Sequence, residues 1–219
     1  MYDPNGHGTH VAGTIAAKAN NIGVVGVAPK ATIMAVKVVT NTGGGSLSAI
    51  TQGIYYAADN GADVINMSLG CMCSSQVLDA AIDYAVSKGI TVVVAAGNNG
   101  LNLNSESVTF NPAEHPKVIS VGASSEEDKL TNFTNYGIPV HVSAPGGSIP
   151  EGAVDDLYMR LAGTSMAAPH VAGIAALLKQ KNRNYNNFEI RDILKTTSEA
   201  LSPNDKYIQT GRVNALNAV

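Results

Sequence analysis

Apolar and polar positions are grouped along this chain in blocks long enough to assign elements. His7 to Lys18 is rich in Gly, Ala, Val and Ile, with Val11 and Ile15 four apart, and predicts a buried helix of small residues. Thr32 to Val39 (TIMAVKVV) is a continuous apolar run of strand length. Ser46 to Asp59 predicts a second helix, capped by Ser46 or Ser48, with Ile50, Ile54 and Ala57 or Ala58 on one face. Val64 to Leu69 predicts another strand, Val77 to Lys88 a helix stopped at Gly89, Thr91 to Ala96 a third strand and Val118 to Ala123 a fourth. Strands that are apolar throughout are covered on both faces, which points to a parallel β-sheet between helix layers and an α/β fold class. Asn99 to Ser107 and Ser143 to Asp156 are polar or Gly/Pro-rich and predict long surface loops. Neither has the character of an interdomain linker, and no period of about 20–50 residues recurs, so residues 1–219 are expected to form a single domain.

Composition narrows the function. Of 219 residues, 45% are hydrophobic and 14% charged, which excludes a disordered chain. Only 5% are aromatic, and the 22 glycines imply close packing and tight turns. Fourteen Lys and Arg against 17 Asp and Glu leave a net charge of -3, the wrong sign for a nucleic-acid partner. No apolar run approaches the ~20 residues of a membrane-spanning helix, so no membrane partner is expected. Cys71 and Cys73 stand one residue apart, too close for an easy bridge and too few for zinc, and are expected to be two thiols beside a loop. The first residues show no signal-peptide pattern, and Met1 to Pro4 lead straight into a dense motif, so the chain reads as starting inside a domain.

Sites in α/β sheets gather at the carboxyl ends of strands, where loops enter helices. Three such places carry unusual residues. Asn5 to Gly13 (NGHGTHVAG) puts His7 at a helix opening between glycines, Ala95 to Gly100 (AAGNNG) follows the third strand, and Gly163 to His170 (GTSMAAPH) puts Ser165 at a helix start. Each alone has a plain structural explanation: a cap, a turn Asn, a packed His. Together they supply a nucleophile, a general base and an amide donor, the parts of acyl transfer.

HGTHVAGTIAA, VINMSLG, VVVAAGNNG and GTSMAAPHVAGIAALL, in this order and spacing, resemble the His, substrate-edge, oxyanion and Ser motifs of the subtilisin-like serine proteases. The resemblance runs from about Asn5 to the C-terminus. It implies a subtilisin-like sheet missing its first strand or strands, with Ser165 as nucleophile, His7 as general base and Asn98 in the oxyanion hole. Ser68, Leu69 and Gly70 match one substrate edge and Gly43, Gly44 and Gly45 the other, so a peptide or protein substrate would lie between them as an added strand. Ala95, Ala96 and Gly97 would line the pocket beside the scissile bond. Phe110 stands where many relatives carry a smaller residue and would shorten that pocket. No acidic residue stands at its base, which implies apolar or neutral preference.

The resemblance implies no cofactor for the chemistry. Lys18, Asn20, Ile22 and Val24 match a loop that holds structural calcium in many family members, whose other ligands lie upstream, so a partial site at most is implied. His10 and His170 are expected to pack near the site without doing chemistry, and nothing is assigned to His115 or His141. The family's triad Asp stands on a strand upstream of the His motif, and no such strand is present. Asp3 is not expected to replace it, and Asp59, Asp63, Asp79 and Asp83 match no triad motif. A complementing N-terminal segment or chain carrying the triad Asp is therefore an implied partner. Three activities follow: a serine endopeptidase; a truncated, catalytically impaired subtilase that binds peptides or a partner; and an esterase of small substrates, against which the two strand-pairing edges argue.

Overall fold

Short runs of β-branched residues bounded by turns become four parallel strands, β1 (Val64–Met67), β2 (Thr91–Ala95), β3 (Ile119–Ser124) and β4 (Val142–Pro145), side by side in that order. The structure is a computed structural model and describes residues 3–105, 109–147, 149–154, 157–203 and 205–219. Before and between the strands lie helices α1 (His7–Ala16), α2 (Leu47–Asp59) and α3 (Gln76–Ser87). After them come an antiparallel hairpin, β5 (Ile149–Val154) and β6 (Leu157–Leu161), and helices α4 (Thr164–Lys181), α5 (Asn187–Thr196) and α6 (Ala215–Ala218).

Strand β2 shows how the layers form. All five of its residues are buried, and their side chains alternate between two cores. Val92 and Val94 join Ile54 and Ala57 of α2 and Leu78, Ile82 and Ala85 of α3. Val93 and Ala95 join Ala167, Val171 and Ile174 of α4, with Ile190 and Leu194 of α5. A parallel sheet covered on both faces by helices is thus the architecture, as the apolar strands predict. Small residues let α4 lie close to its neighbours: a Cβ on Gly173 would stand 2.6 Å from the Val27 Cβ.

Helix ends follow local chemistry. Ser46 Oγ accepts the Ala49 N–H and Ser75 Oγ the Leu78 N–H, and α3 stops before Gly89, whose φ of 80° suits glycine. Helix α5, absent from the sequence reading, begins with a capping box. Asn186 accepts the N–H groups of Phe188 and Glu189 while Glu189 accepts that of Asn186.

Three expectations need correction. Thr32–Val39 is not a strand. Among the described residues only Val39 is bridged, to Gly45, and Ile33 and Met34 are exposed, because strand composition makes a strand only where a neighbour offers a ladder. Ser143–Asp156 is not a loop throughout, since its ends belong to β4 and β5; Ser148, Asp155 and Asp156 lie outside the described residues, as do Met1 and Tyr2. Cys71 and Cys73 are joined in a disulfide, with Met72 between them turned out to solvent so that the flanking Cα atoms come to 5.3 Å. The described part of Asn99–Ser107 is a loop, though Leu103 is buried; Glu106 and Ser107 lie outside the described residues. No described helix is long and apolar enough to cross a membrane.

Candidate active site

Ser165 stands in the first turn of α4, behind Gly163, where helical N–H groups have no partner in their own helix. Its neighbour Thr164 fixes the side chain of Asn98. The Thr164 N–H and hydroxyl both donate to Asn98 Oδ1, each at 2.8 Å, while Thr164 Oγ1 accepts the Gly97 N–H at 3.1 Å. With Oδ1 doubly engaged, Nδ2 is the end of the amide left to face a ligand. A Cβ on Gly163 would lie 3.4 Å from Asn98 Nδ2 and 3.7 Å from the Ser165 N. Two donors therefore border one small space that glycine leaves empty, as an oxyanion site requires.

The loop that carries Asn98 is held from behind by Asn135, which is wholly buried. Its Nδ2 donates to the Ala96 carbonyl at 2.9 Å, and its Oδ1 accepts the N–H groups of Asn99 and Leu101 at 3.1 and 3.0 Å. Gly97, between these anchors, has φ 102°, and a Cβ there would stand 2.3 Å from Asn135 Nδ2, so only glycine fits.

Ser68 and Ser165 are joined by two hydrogen bonds. Ser68 Oγ donates to the Ser165 carbonyl at 2.7 Å, and Ser165 Oγ donates to the Ser68 carbonyl at 3.3 Å. His7 opens α1, which packs on α4 through Val11 and Met166, the residue next to Ser165. Among the described residues the His7 ring has no hydrogen-bond partner. Burial, aided by the nearby His10 and opposed by Asp3, holds its pKa below the usual value, which keeps the imidazole neutral near pH 7 as a general base must be. Asp3 serves α1 instead. Its carboxylate accepts the Gly6 and Thr9 N–H groups and the Thr9 hydroxyl; burial pulls its pKa up, but these bonds outweigh it and leave it lowered.

A cavity of about 320 Å³ adjoins Ser165, and Leu69, Gly70, Ala95, Gly97 and Asn98 line it together with Phe110. Among the described residues its walls include no charged side chain. Gly43, Gly44 and Gly45 do not reach it; they form an exposed turn in which Gly45 pairs with Val39 and Gly43 lies near Asn5. A larger cavity of about 650 Å³ opens elsewhere beside Asp63, Lys88, Lys179 and Arg183; its described lining has no Ser, Thr or Cys, and Lys179 is bonded to the Gly89 and Tyr185 carbonyls. His10 is buried in α1, and His170 Nδ1 lies 2.9 Å from the Met166 carbonyl. His115 pairs with Asp83, and His141 accepts the Ser120 N–H.

Lys18, Asn20, Ile22 and Val24 stand on the loop after α1, in a stretch without a carboxylate whose side-chain carbonyl oxygens are those of Asn20 and Asn21; Asn20 Oδ1 accepts the Ile22 N–H. Thr164 and Asn135 are the site residues that the sequence reading missed. Thr164 lay inside the Ser motif, whereas nothing near Asn135 signals a clamp on a loop 36 residues away.

Residues 1–215 match the subtilase family. The chain is 49% identical to a thermophilic serine proteinase of Bacillus sp. (strain AK1), covering all of this chain and 54% of that protein. It is 46% identical to Subtilisin Savinase of Lederbergia lenta, covering 97% and 77% respectively. Its fold matches a solved protease from Pseudoalteromonas arctica with TM-score 0.87 at 38% identity, over 97% of this chain and 69% of the other. The chain thus spans about half the length of the thermophilic relative. With Ser165, Asn98 and His7 on these elements, and with this similarity along its whole length, the chain belongs to the subtilase family.

Proposed function

We propose that this chain carries the hydrolytic centre of a serine endopeptidase. Ser165 Oγ attacks the scissile carbonyl and its proton passes to His7. Asn98 Nδ2 and the Ser165 N–H hold the oxyanion, and His7 then protonates the leaving amine; water, deprotonated by His7, releases the acyl group. The observation that carries this reading is the fork from Thr164 to Asn98 Oδ1, because it commits one end of the amide and aims the other at the space beside the Ser165 N–H. The substrate lies as an added strand along Ser68–Gly70, with Gly43–Gly45 as the opposite edge. The uncharged cavity supports apolar or neutral side chains at the cut site.

A carboxylate to orient His7 is the part this reading still needs, since Asp3 caps α1. A complementing segment or chain carrying the triad Asp is its proposed source. Loss of the triad carboxylate costs ~10⁴ in turnover in serine proteases generally. The second reading, a peptide- or partner-binding subtilase that does not cut, is favoured by the His7 ring, which has no hydrogen-bond partner among the described residues, and by the Ser165 hydroxyl resting on the Ser68 carbonyl.

Hydrolysis of a chromogenic tetrapeptide separates the two. Turnover by the chain, alone or with an added Asp-bearing segment, that vanishes in Ser165→Ala establishes the protease. Absence of Ser165-dependent turnover in both arrangements overturns the protease reading for this chain and favours the binding one.

A further inference from the structure

Helix α4 loses a rung of its hydrogen-bond ladder at Ser165. In an α-helix each carbonyl accepts the N–H four positions on. Four positions after Ser165 stands Pro169, inside the helix, and proline has no N–H to give. The Ser165 carbonyl is taken up from the side of the sheet instead, where Ser68 Oγ donates to it at 2.7 Å. A hydroxyl has one hydrogen, so with that hydrogen committed Ser68 Oγ offers its other neighbours only lone pairs. Asn66 Nδ2 donates into them at 3.1 Å. We propose that Asn66 is a positioning residue for Ser165, acting through the Ser68 hydroxyl that stands in for the N–H missing at Pro169. The inference rests on the protease reading and adds to it the group that steadies the backbone of the nucleophile.

Asn66 is suited to act as a fixed post. It lies on β1 in register with Val93 of β2, and Val93 packs with Ala167 and Val171 of α4. Its backbone is therefore held by the same sheet on which the helix of Ser165 rests. Without the Asn66 amide, Ser68 Oγ loses the donor that orients it, and its single hydrogen is free to turn away from the Ser165 carbonyl. The peptide plane after Ser165 then has no helical N–H to fall back on. That plane joins, through one Cα, the two reacting groups of the residue: the Oγ that attacks and the N–H that faces the oxyanion. A displacement of about 1 Å at such a centre can cost ~10²-fold in rate. Substrate affinity has a separate source, because Leu69, Gly97 and Phe110 line the cavity beside Ser165 and Asn66 is not among its described lining. The amide thus bears on the reaction step more than on binding.

The test uses a peptidyl phosphonate ester that bonds covalently to a serine nucleophile. Capture at Ser165 is followed by intact mass, with the maximal rate and the half-saturating concentration read separately and Ser165→Ala as the blank. Asn66→Leu keeps the bulk and removes the amide, while Ser68→Ala removes the other end of the link. Each is expected to lower the maximal rate by about 10–100-fold with the half-saturating concentration little changed. The double variant is expected to be no slower than the slower single one, since both break one link. Pro169→Ala restores the missing N–H, so in that background the same substitutions are expected to cost little. Tm values read alongside show which variants are folded, and if one of the two fails to fold, the other is compared with and without Pro169→Ala. An unchanged maximal rate in Asn66→Leu, a loss confined to the half-saturating concentration, or equal losses with and without Pro169→Ala overturns the proposal while leaving the protease reading intact. Absence of Ser165 capture by every chain, with and without the added Asp-bearing segment, overturns the protease reading itself, and the positioning role falls with it.

Discussion

Thr164 holds the Asn98 carbonyl oxygen twice, which fixes the side chain with its amide hydrogens on the opposite side. Asn135 acts one step further back, tying residues 96, 99 and 101 so that the loop between them has one shape. Asn135→Ala therefore leaves the buried Ala96 carbonyl and the part-buried Asn99 and Leu101 N–H groups without this partner. The expected cost is about 1–3 kcal/mol for the buried carbonyl, measured as a lower urea midpoint at constant m-value. At this scale the sequence was informative about identity and silent about support. His7, Asn98 and Ser165 stand in dense local motifs, but Asn135 looks like any other loop asparagine until the fold brings it against residue 97.

Elements were legible where one face is apolar and the ends carry caps. Helices α2 and α3 fall within a residue or two of the predicted spans, because Ser46, Ser75 and Gly89 mark their ends. Helix α5 was missed although Asn186 and Glu189 spell a capping box; its short, charge-rich sequence hides the buried Ile190 and Leu194. Asn187 carries the helix into the fold, accepting the Val92 N–H at 3.0 Å and donating to the Lys117 carbonyl at 2.6 Å. Asn186→Ala is expected to lower stability by about 1 kcal/mol, seen as a lower Tm, with Asn186→Ser recovering most of it. The opposite error, Thr32–Val39, has the composition of a strand but among the described residues lacks the ladder that would make it one. Hydrophobic pattern specifies what an element can be, and pairing decides whether it forms.

Across the whole molecule, acid sensitivity should come in part from a histidine far from the chemistry. His141 is buried against the sheet, and its burial, reinforced by the positive charges of Arg191 and Lys195, lowers its pKa from 6.5 to about 3. The folded state thus prefers the neutral ring, and its contribution is full above pH 6.5. Between there and about pH 3 the unfolded chain binds the extra proton, so stability falls by about 1.4 kcal/mol per pH unit. His141→Asn, whose amide oxygen can take the Ser120 N–H in place of Nδ1, is expected to flatten that slope in urea titrations at pH 4–7. The α/β class and the sheet's double cover were readable from the apolar strands, while β4, the β5–β6 hairpin and the Cys71–Cys73 bond depend on contacts the pattern does not encode. Strand β2, finally, sorts change by parity. Odd-numbered positions pack with the helix that carries Ser165 and even-numbered ones with the opposite helix layer, so two residues one peptide bond apart answer to different cores, and a substitution at one leaves the packing of the other face in place.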